Sequence, residues 1–154
     1  MKTEYQLSVI LESGYKKNLS HLLDVLVSKL EIPAIQNRSL VINDIPDNIE
    51  VDTDEYLLSA ILSGIMTRVI THTENGSIRI TAKNYNSVIL IHIKNDGILQ
   101  YESIVHHMPV LQAQAEKLGG FIGFTSFRNQ ISTIAFSFTN KKNILDPEVC
   151  SNHS

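Results

Sequence analysis

The sequence predicts an α+β fold, a two-layer sandwich in which one mixed sheet carries helices on one face. Periodicity changes in blocks along the chain, in the order helix, short strands, helix, hairpin, helix, hairpin. Strands that are neighbours in sequence, with helices between the pairs, pack most simply as two layers. Strict strand–helix–strand alternation, which a doubly wound sheet requires, is absent. The 154 residues are economically one domain, and folding at that size removes roughly 70% of the unfolded surface from water. The organisation expected is an N-terminal extension over residues 1–16, a folded domain over 17–140 and a polar tail over 141–154.

Each element has its own warrant. "YQLSVIL" (residues 5–11) alternates weakly and is compatible with a strand or with the end of a helix. "KKNLSHLLDVLVSKLEI" predicts a helix, because Leu19, Leu22, Leu23, Leu26, Val27 and Leu30 recur at helical spacing, and Pro33 is expected to end it. "SLVIND" reads as a short strand and "IPDNIEVD" as a turn with a second short strand. "DEYLLSAILSGIMTRVITHT" predicts a long helix capped by Asp54. Leu57, Leu58, Ile61, Leu62, Ile65, Met66, Val69 and Ile70 form its apolar stripe. Tyr56, Ser59, Ala60, Ser63, Gly64, Thr67, Arg68 and Thr71 form the other face. "SIRITAK" and "SVILIHIK" alternate as the arms of a hairpin, with "ENG" before it and "NDG" after it as turns. "ESIVHHMPVLQAQAEKLGG" predicts one more helix, with Ile104, Met108, Leu111, Ala115 and Leu118 on one face, Pro109 in the first turn and Gly119 as C-cap. "FIGFTSF" and "ISTIAFSFT", joined by "RNQ", form the closing hairpin.

Composition narrows the function classes. The net charge is −3 and the pI about 6.0, with no Lys/Arg run, so nucleic acid is not an expected partner. A single cysteine, Cys150, builds neither a disulfide framework nor a cysteine metal site. The start carries a glutamate at position 4 and no long apolar core, so no signal peptide is expected. No apolar stretch approaches the roughly 20 residues that span a bilayer. A cytoplasmic protein without membrane contact is the expectation.

Four blocks, taken in order, resemble the ATP-binding domain of sensor histidine kinases, the fold shared with type II topoisomerases, Hsp90 and MutL. They are the helix over residues 54–73, "NGSIRITA", "ILIHIKNDG", and "AEKLGGFIGFTS" followed by "ISTIAFSF". In that family the long helix reads D-x-x-x-L-x-x-V-L-x-N-L-L-x-N-A-I-K-x-T, and this chain follows it without a gap at Asp54, Leu58, Ile61, Leu62, Ile65, Met66, Val69, Ile70 and Thr73. The resemblance implies a histidine kinase-like ATPase fold over residues 17–140.

The nucleotide cleft implied by the resemblance is degenerate. The two asparagines that face the nucleotide, one of them a magnesium ligand, fall at Gly64 and Arg68. Glycine offers no ligand, and a guanidinium is a fixed cation without a lone pair to donate. The family lysine falls at Thr71, and the aspartate that receives the adenine amino group falls at Asn95. Gly97 is retained. The glycine-rich lid, whose backbone N–H groups wrap phosphates, is absent: no glycine lies between Gly97 and Gly119, and the lid position falls within "VHHMP", near His107. Structural readings stand beside these: Gly64 admitting a close backbone, Arg68 extending from a solvated face, Asn95 capping a turn. A sharper reading has Arg68 holding a phosphate without metal.

Other constellations carry less. Of the six histidines, His106 and His107 are adjacent and point about 100° apart on a helix, His72 and His92 are isolated, and His153 is in the tail. No spacing suits zinc. His21 lacks the acidic neighbour of a histidine kinase phospho-acceptor, being followed by Leu22, and no helical hairpin carries it, so autophosphorylation within this chain is not expected. No nucleophile arrangement or dinucleotide loop is present. The expectation is therefore a non-catalytic, degenerate histidine-kinase-like ATPase domain. It is a regulatory or protein-interaction module of two-component-type signalling, with no metal or cofactor. Homodimerisation through "YQLSVILES" is expected from its apolar alternation. The alternative is a histidine kinase module that retains binding of ATP with magnesium.

Overall fold

In a computed structural model, residues 17–140 are described. The readings of residues 5–11 as strand or helix end, of "YQLSVILES" as a self-association segment, and of the tail from Lys141 with Cys150 and His153 lie outside them.

The described chain forms β1 (Lys17–Asn18), α1 (Leu19–Ser28), α2 (Glu31–Gln36), β2 (Ser39–Asn43), β3 (Glu50–Val51), α3 (Glu55–His72), β4 (Gly76–Tyr85), β5 (Val88–Asn95), α4 (Glu102–Val105), α5 (Met108–Lys117), β6 (Phe121–Phe127) and β7 (Gln130–Thr139). One mixed five-stranded sheet runs in the order β2-β4-β5-β7-β6. Its β2–β4 pair is parallel and its other pairs are antiparallel. The helices cover one face, as an α+β two-layer sandwich requires. A separate two-stranded pair joins β1 to β3.

Alternation decides which face is covered. Ile78, Ile80 and Ala82 of β4, Ile89, Ile91 and Ile93 of β5, and Ile134, Phe136 and Phe138 of β7 are buried, while Arg79, Lys83 and Lys94 on the other face are exposed. One register therefore sends these buried apolar residues toward the helices, while Tyr85, Val88 and Leu90 lie on the other face. The helices return Leu19, Leu23, Leu58, Ile61, Leu62, Ile65, Met66, Val69 and Ile70 to the same core. The last seven are the buried stripe of α3, which is the central helix and packs against α1, α2, α4 and α5.

Local signals explain most boundaries. Asp54 caps α3 by accepting from the Leu57 N–H at 3.1 Å. Gly119, at φ 68, ends α5. There the Gly120 N–H donates to the Ala115 carbonyl and the Gly119 N–H to the Glu116 carbonyl, the paired bonds of a Schellman motif. Arg128 and Asn129, at φ 53 and 64, make the two-residue turn between β6 and β7, and two consecutive left-handed residues give the turn twist that a hairpin favours.

Two expectations need correction. Pro33 does not end the first helix. That helix stops at Ser28, and Pro33 lies inside α2. It is the third residue of α2, where the missing N–H has no intrahelical partner to lose. The single helix expected over "ESIVHHMPVLQAQAEKLGG" is two helices, broken at His106 and His107, with Pro109 in the first turn of α5.

Candidate functional site

The residues singled out by sequence lie in two groups along α3. At mid-helix, Gly64 faces Leu111 of α5. A Cβ added there would stand 2.9 Å from Leu111 Cδ2, so the missing side chain makes room for a leucine. The close approach expected at Gly64 exists, but the approaching atom belongs to a side chain rather than to backbone. Leu111 itself is buried.

One turn further along, Arg68 does not simply extend into solvent. Its Nη2 lies 3.2 Å from His107 Nδ1, and its Nε is buried with no hydrogen-bond partner. Arginine has no acceptor, so this bond requires an unprotonated Nδ1, with the imidazole proton on Nε2. Desolvation beside the helix, then the Arg68 guanidinium, then His106 and His72, hold the His107 imidazole below the usual histidine range. The break between α4 and α5 is what turns His107 toward α3. Its carbonyl still accepts from the Leu111 N–H at 3.1 Å, opening α5.

The second group sits just past the C-terminal end of α3. Asn95, buried at the end of β5, donates from Nδ2 to Thr73 Oγ1 at 2.9 Å. Its Oδ1 accepts the Gly97 N–H at 2.8 Å, closing an Asx turn. Gly97 cannot carry a side chain, because a Cβ would stand 2.7 Å from the Glu74 carbonyl oxygen and 2.9 Å from Thr73 Cγ2. Gly76 faces it even more tightly, its added Cβ falling 2.3 Å from Gly97 Cα. The glycines of "ENG" and "NDG" are thus one backbone contact. Asp96, between Asn95 and Gly97, accepts from the Ser77 N–H and hydroxyl, and these bonds lower its pKa.

Thr71 is exposed, and its hydroxyl donates back to the Thr67 carbonyl at 2.6 Å. The last carbonyls of α3 are held from outside the helix. Asn37 Nδ2 donates to the Ile70 and Thr71 oxygens, and Ser39 Oγ to the Thr73 oxygen. Thr71 and Asn37 therefore complete the helix end between the two groups.

The fold family implies magnesium and ATP, and the side chains can be tested against that pair. Position 64 carries no side chain and position 68 a guanidinium, and the groups against them are Leu111 and His107. Magnesium demands oxygen ligands at short distance, and these four side-chain positions supply none. No group of three or more His, Cys, Asp or Glu residues suited to a metal occurs among the described residues. Asn95 brings an oxygen to the region, but both ends of its amide are engaged by protein. The side chains at Gly64, Arg68 and Asn95 do not fit a magnesium ligand set.

His107, Leu111, Thr73 and Gly76 carry much of this geometry without having been assigned to the site from sequence. Thr73 and Gly76 lie in matched blocks of the resemblance and His107 near its lid position, whereas Leu111 gave no signal beyond its apolar spacing.

Solved structures share this fold. An Acinetobacter baumannii histidine kinase, AdeS, superimposes with a TM-score of 0.69 at 14% identity, over 82% of this chain and 66% of that one. The catalytic domain of the histidine kinase ThkA, in a nucleotide-free form, gives 0.68 at 17% identity, over 82% of this chain and 96% of that one. ThkA in complex with the response regulator protein TrrA gives 0.66 at 17% identity, over 90% of this chain but 47% of that one. The chain therefore matches the whole of the isolated catalytic domain but about half of the longer ThkA chain. No protein-family model and no curated protein matches the chain. The class defined is one of fold: residues 17–140 form a histidine-kinase-type ATP-binding domain fold. No helix among the described residues is long and apolar enough to cross a membrane.

Proposed function

We propose that this chain is a degenerate, non-catalytic histidine-kinase-like ATPase domain that acts through a protein partner in two-component-type signalling. One observation carries the reading: α5 seals the mid-helix face of α3, with Leu111 over Gly64 and Arg68 bonded to His107. The two amide positions of a working site, one of them a magnesium ligand, hold a bare backbone and a permanent cation, and the space beside them is filled by a side chain. Gly64, Arg68, Thr71, Asn95 and Gly97 are then a relic of a nucleotide cleft. The domain works in the cytoplasm without metal or cofactor. Self-association through "YQLSVILES" is part of the same proposal.

A response regulator is the partner class favoured, because a solved neighbour of this fold is a histidine kinase in complex with one. The second reading, an ATP-binding module that retains nucleotide, is favoured by the fold itself. Titration of a fluorescent ATP analogue with magnesium, beside a phosphate-release assay, separates the two. The proposal expects no saturable binding and no release above buffer. Saturable magnesium-dependent binding transfers the case to the second reading.

A further inference from the structure

Three features of the α3–α5 junction do not follow from a passive seal. The contact between Arg68 Nη2 and His107 Nδ1, at 3.2 Å, exists only while His107 is neutral. Arg68 Nε is buried without a partner, and an orphaned buried donor disfavours the closed arrangement. The hinge lies within the same few residues, since the helix is broken at His106 and His107. The junction is thus closed by apolar packing, with Ile104 and Leu111 buried, and by one bond with a protonation requirement, and it is opposed by a donor that water would satisfy.

We propose that the Arg68–His107 contact is a proton-sensitive latch, which holds the α4–α5 segment over the Gly64 face of α3 and releases it on acidification. Protonated His107 has no lone pair left for Arg68 and stands beside it as a second cation. The groups acting on it are Arg68 and His72 of α3 and its neighbour His106. None of them is an acid that could carry negative charge, so none compensates the new charge. The remaining charges of the packed helices are Glu55 of α3, Glu102 of α4, and Glu116 and Lys117 of α5. On release, Leu111 lifts from Gly64, Arg68 Nε reaches water, and an apolar and cationic surface is uncovered where a partner can bind. This extends the proposed function to its regulation, and it is independent of whether nucleotide binds.

Amide hydrogen exchange of the full chain at about pH 7.5 and about pH 5, corrected for intrinsic rates, tests it. Protection of residues 102–111 is expected to fall at the lower pH, as protonated His107 loses its bond to Arg68, while β4, β5 and β7 stay protected. In His107→Asn, whose Oδ1 stands where Nδ1 stood and does not titrate there, the pH dependence of that segment should vanish. An unchanged wild-type segment, or the same loss in His107→Asn, would overturn the latch. Should that variant fold poorly, the imidazole titration of His107 decides. It is expected below an ordinary histidine in the wild type and higher in Arg68→Met, and identical titrations would equally overturn it. Nucleotide is absent throughout, so the outcome is separate from the ATP titration.

Discussion

Replacing Asn95 with alanine isolates the most strongly determined residue of the cleft. The side chain is 8% exposed and its amide is engaged at both ends, to Thr73 Oγ1 at 2.9 Å and from the Gly97 N–H at 2.8 Å. Truncation leaves the Gly97 N–H without its acceptor and the fully buried Thr73 hydroxyl without its donor. At roughly 1–3 kcal/mol for each buried group left unsatisfied, and allowing the hydroxyl to find part of a replacement, the loss is about 2–4 kcal/mol. In a chain of this size that lowers the melting temperature by roughly 6–12 °C. Urea unfolding followed by circular dichroism, with an unchanged slope, measures it. Asn95→Asp keeps the acceptor for Gly97 and leaves the Thr73 hydroxyl free to donate, so it should lose less than the alanine variant. A loss under about 0.5 kcal/mol in Asn95→Ala would refute the reasoning. It would mean that the side chain is not committed to the turn and is available to a ligand.

Three further outcomes follow from the same geometry. Gly76→Ala forces a Cβ to 2.3 Å from Gly97 Cα; because backbone must move, a loss of about 3 kcal/mol or more is expected in urea unfolding, and a variant as stable as wild type would contradict the contact. The Asp96 carboxylate has its pKa lowered from 3.8 by the Ser77 bonds, so its contribution is present above that value and lost as pH falls through it toward the folded value. The stability difference between wild type and Asp96→Asn should therefore close on acidification from about pH 5 to about pH 2, and a difference that persists would count against those bonds. The double variant Gly64→Asn with Arg68→Asn, which places amides where the resemblance has them, should still not bind magnesium-ATP in calorimetry, because Leu111 occupies the space. Adding Leu111→Ala should be needed for binding, and a double variant that binds as well as the triple would contradict the filled cleft.

What was readable from sequence is what local chemistry decides. The stripe of α3, the alternation of β4, β5 and β7, the Asp54 cap and the Gly119 terminus depend on residues within a turn or two. The sequence therefore reached the two-layer fold. The two misplaced boundaries have different causes. Pro33 sits in the first turn of α2, where proline is tolerated, so proline as a stop signal identifies a boundary without saying which side is helical, whereas the break at His106 and His107 lies inside an unbroken helical periodicity.

The asparagines were underread for a different reason. Asn43 fastens β2 to Ser20 and Asp24 of α1. Asn140 joins the end of β7 to the backbone of Glu50 and Asp52. Such bonds span tens of residues, and a turn-former looks the same in sequence whether it bonds its neighbour or a distant strand. In the cleft, the sequence marked Gly64 and Arg68 as departures but not what met them. Leu111 read as one apolar position of a helix, and its contact with Gly64 depends on how α5 crosses α3. The bond between Arg68 and His107 depends on the break at His106 and His107, which helical periodicity concealed.

The most direct measurement is the melting temperature of the full chain at neutral pH with millimolar ATP, with magnesium and then with a chelator. A ligand at a hundred times its dissociation constant stabilises the native state by about 2.7 kcal/mol, a shift of several degrees. With Leu111 over Gly64 and the Arg68 guanidinium in place of one of the two asparagines of the resemblance, no shift is predicted under either condition. A rise of several degrees that needs magnesium would contradict it.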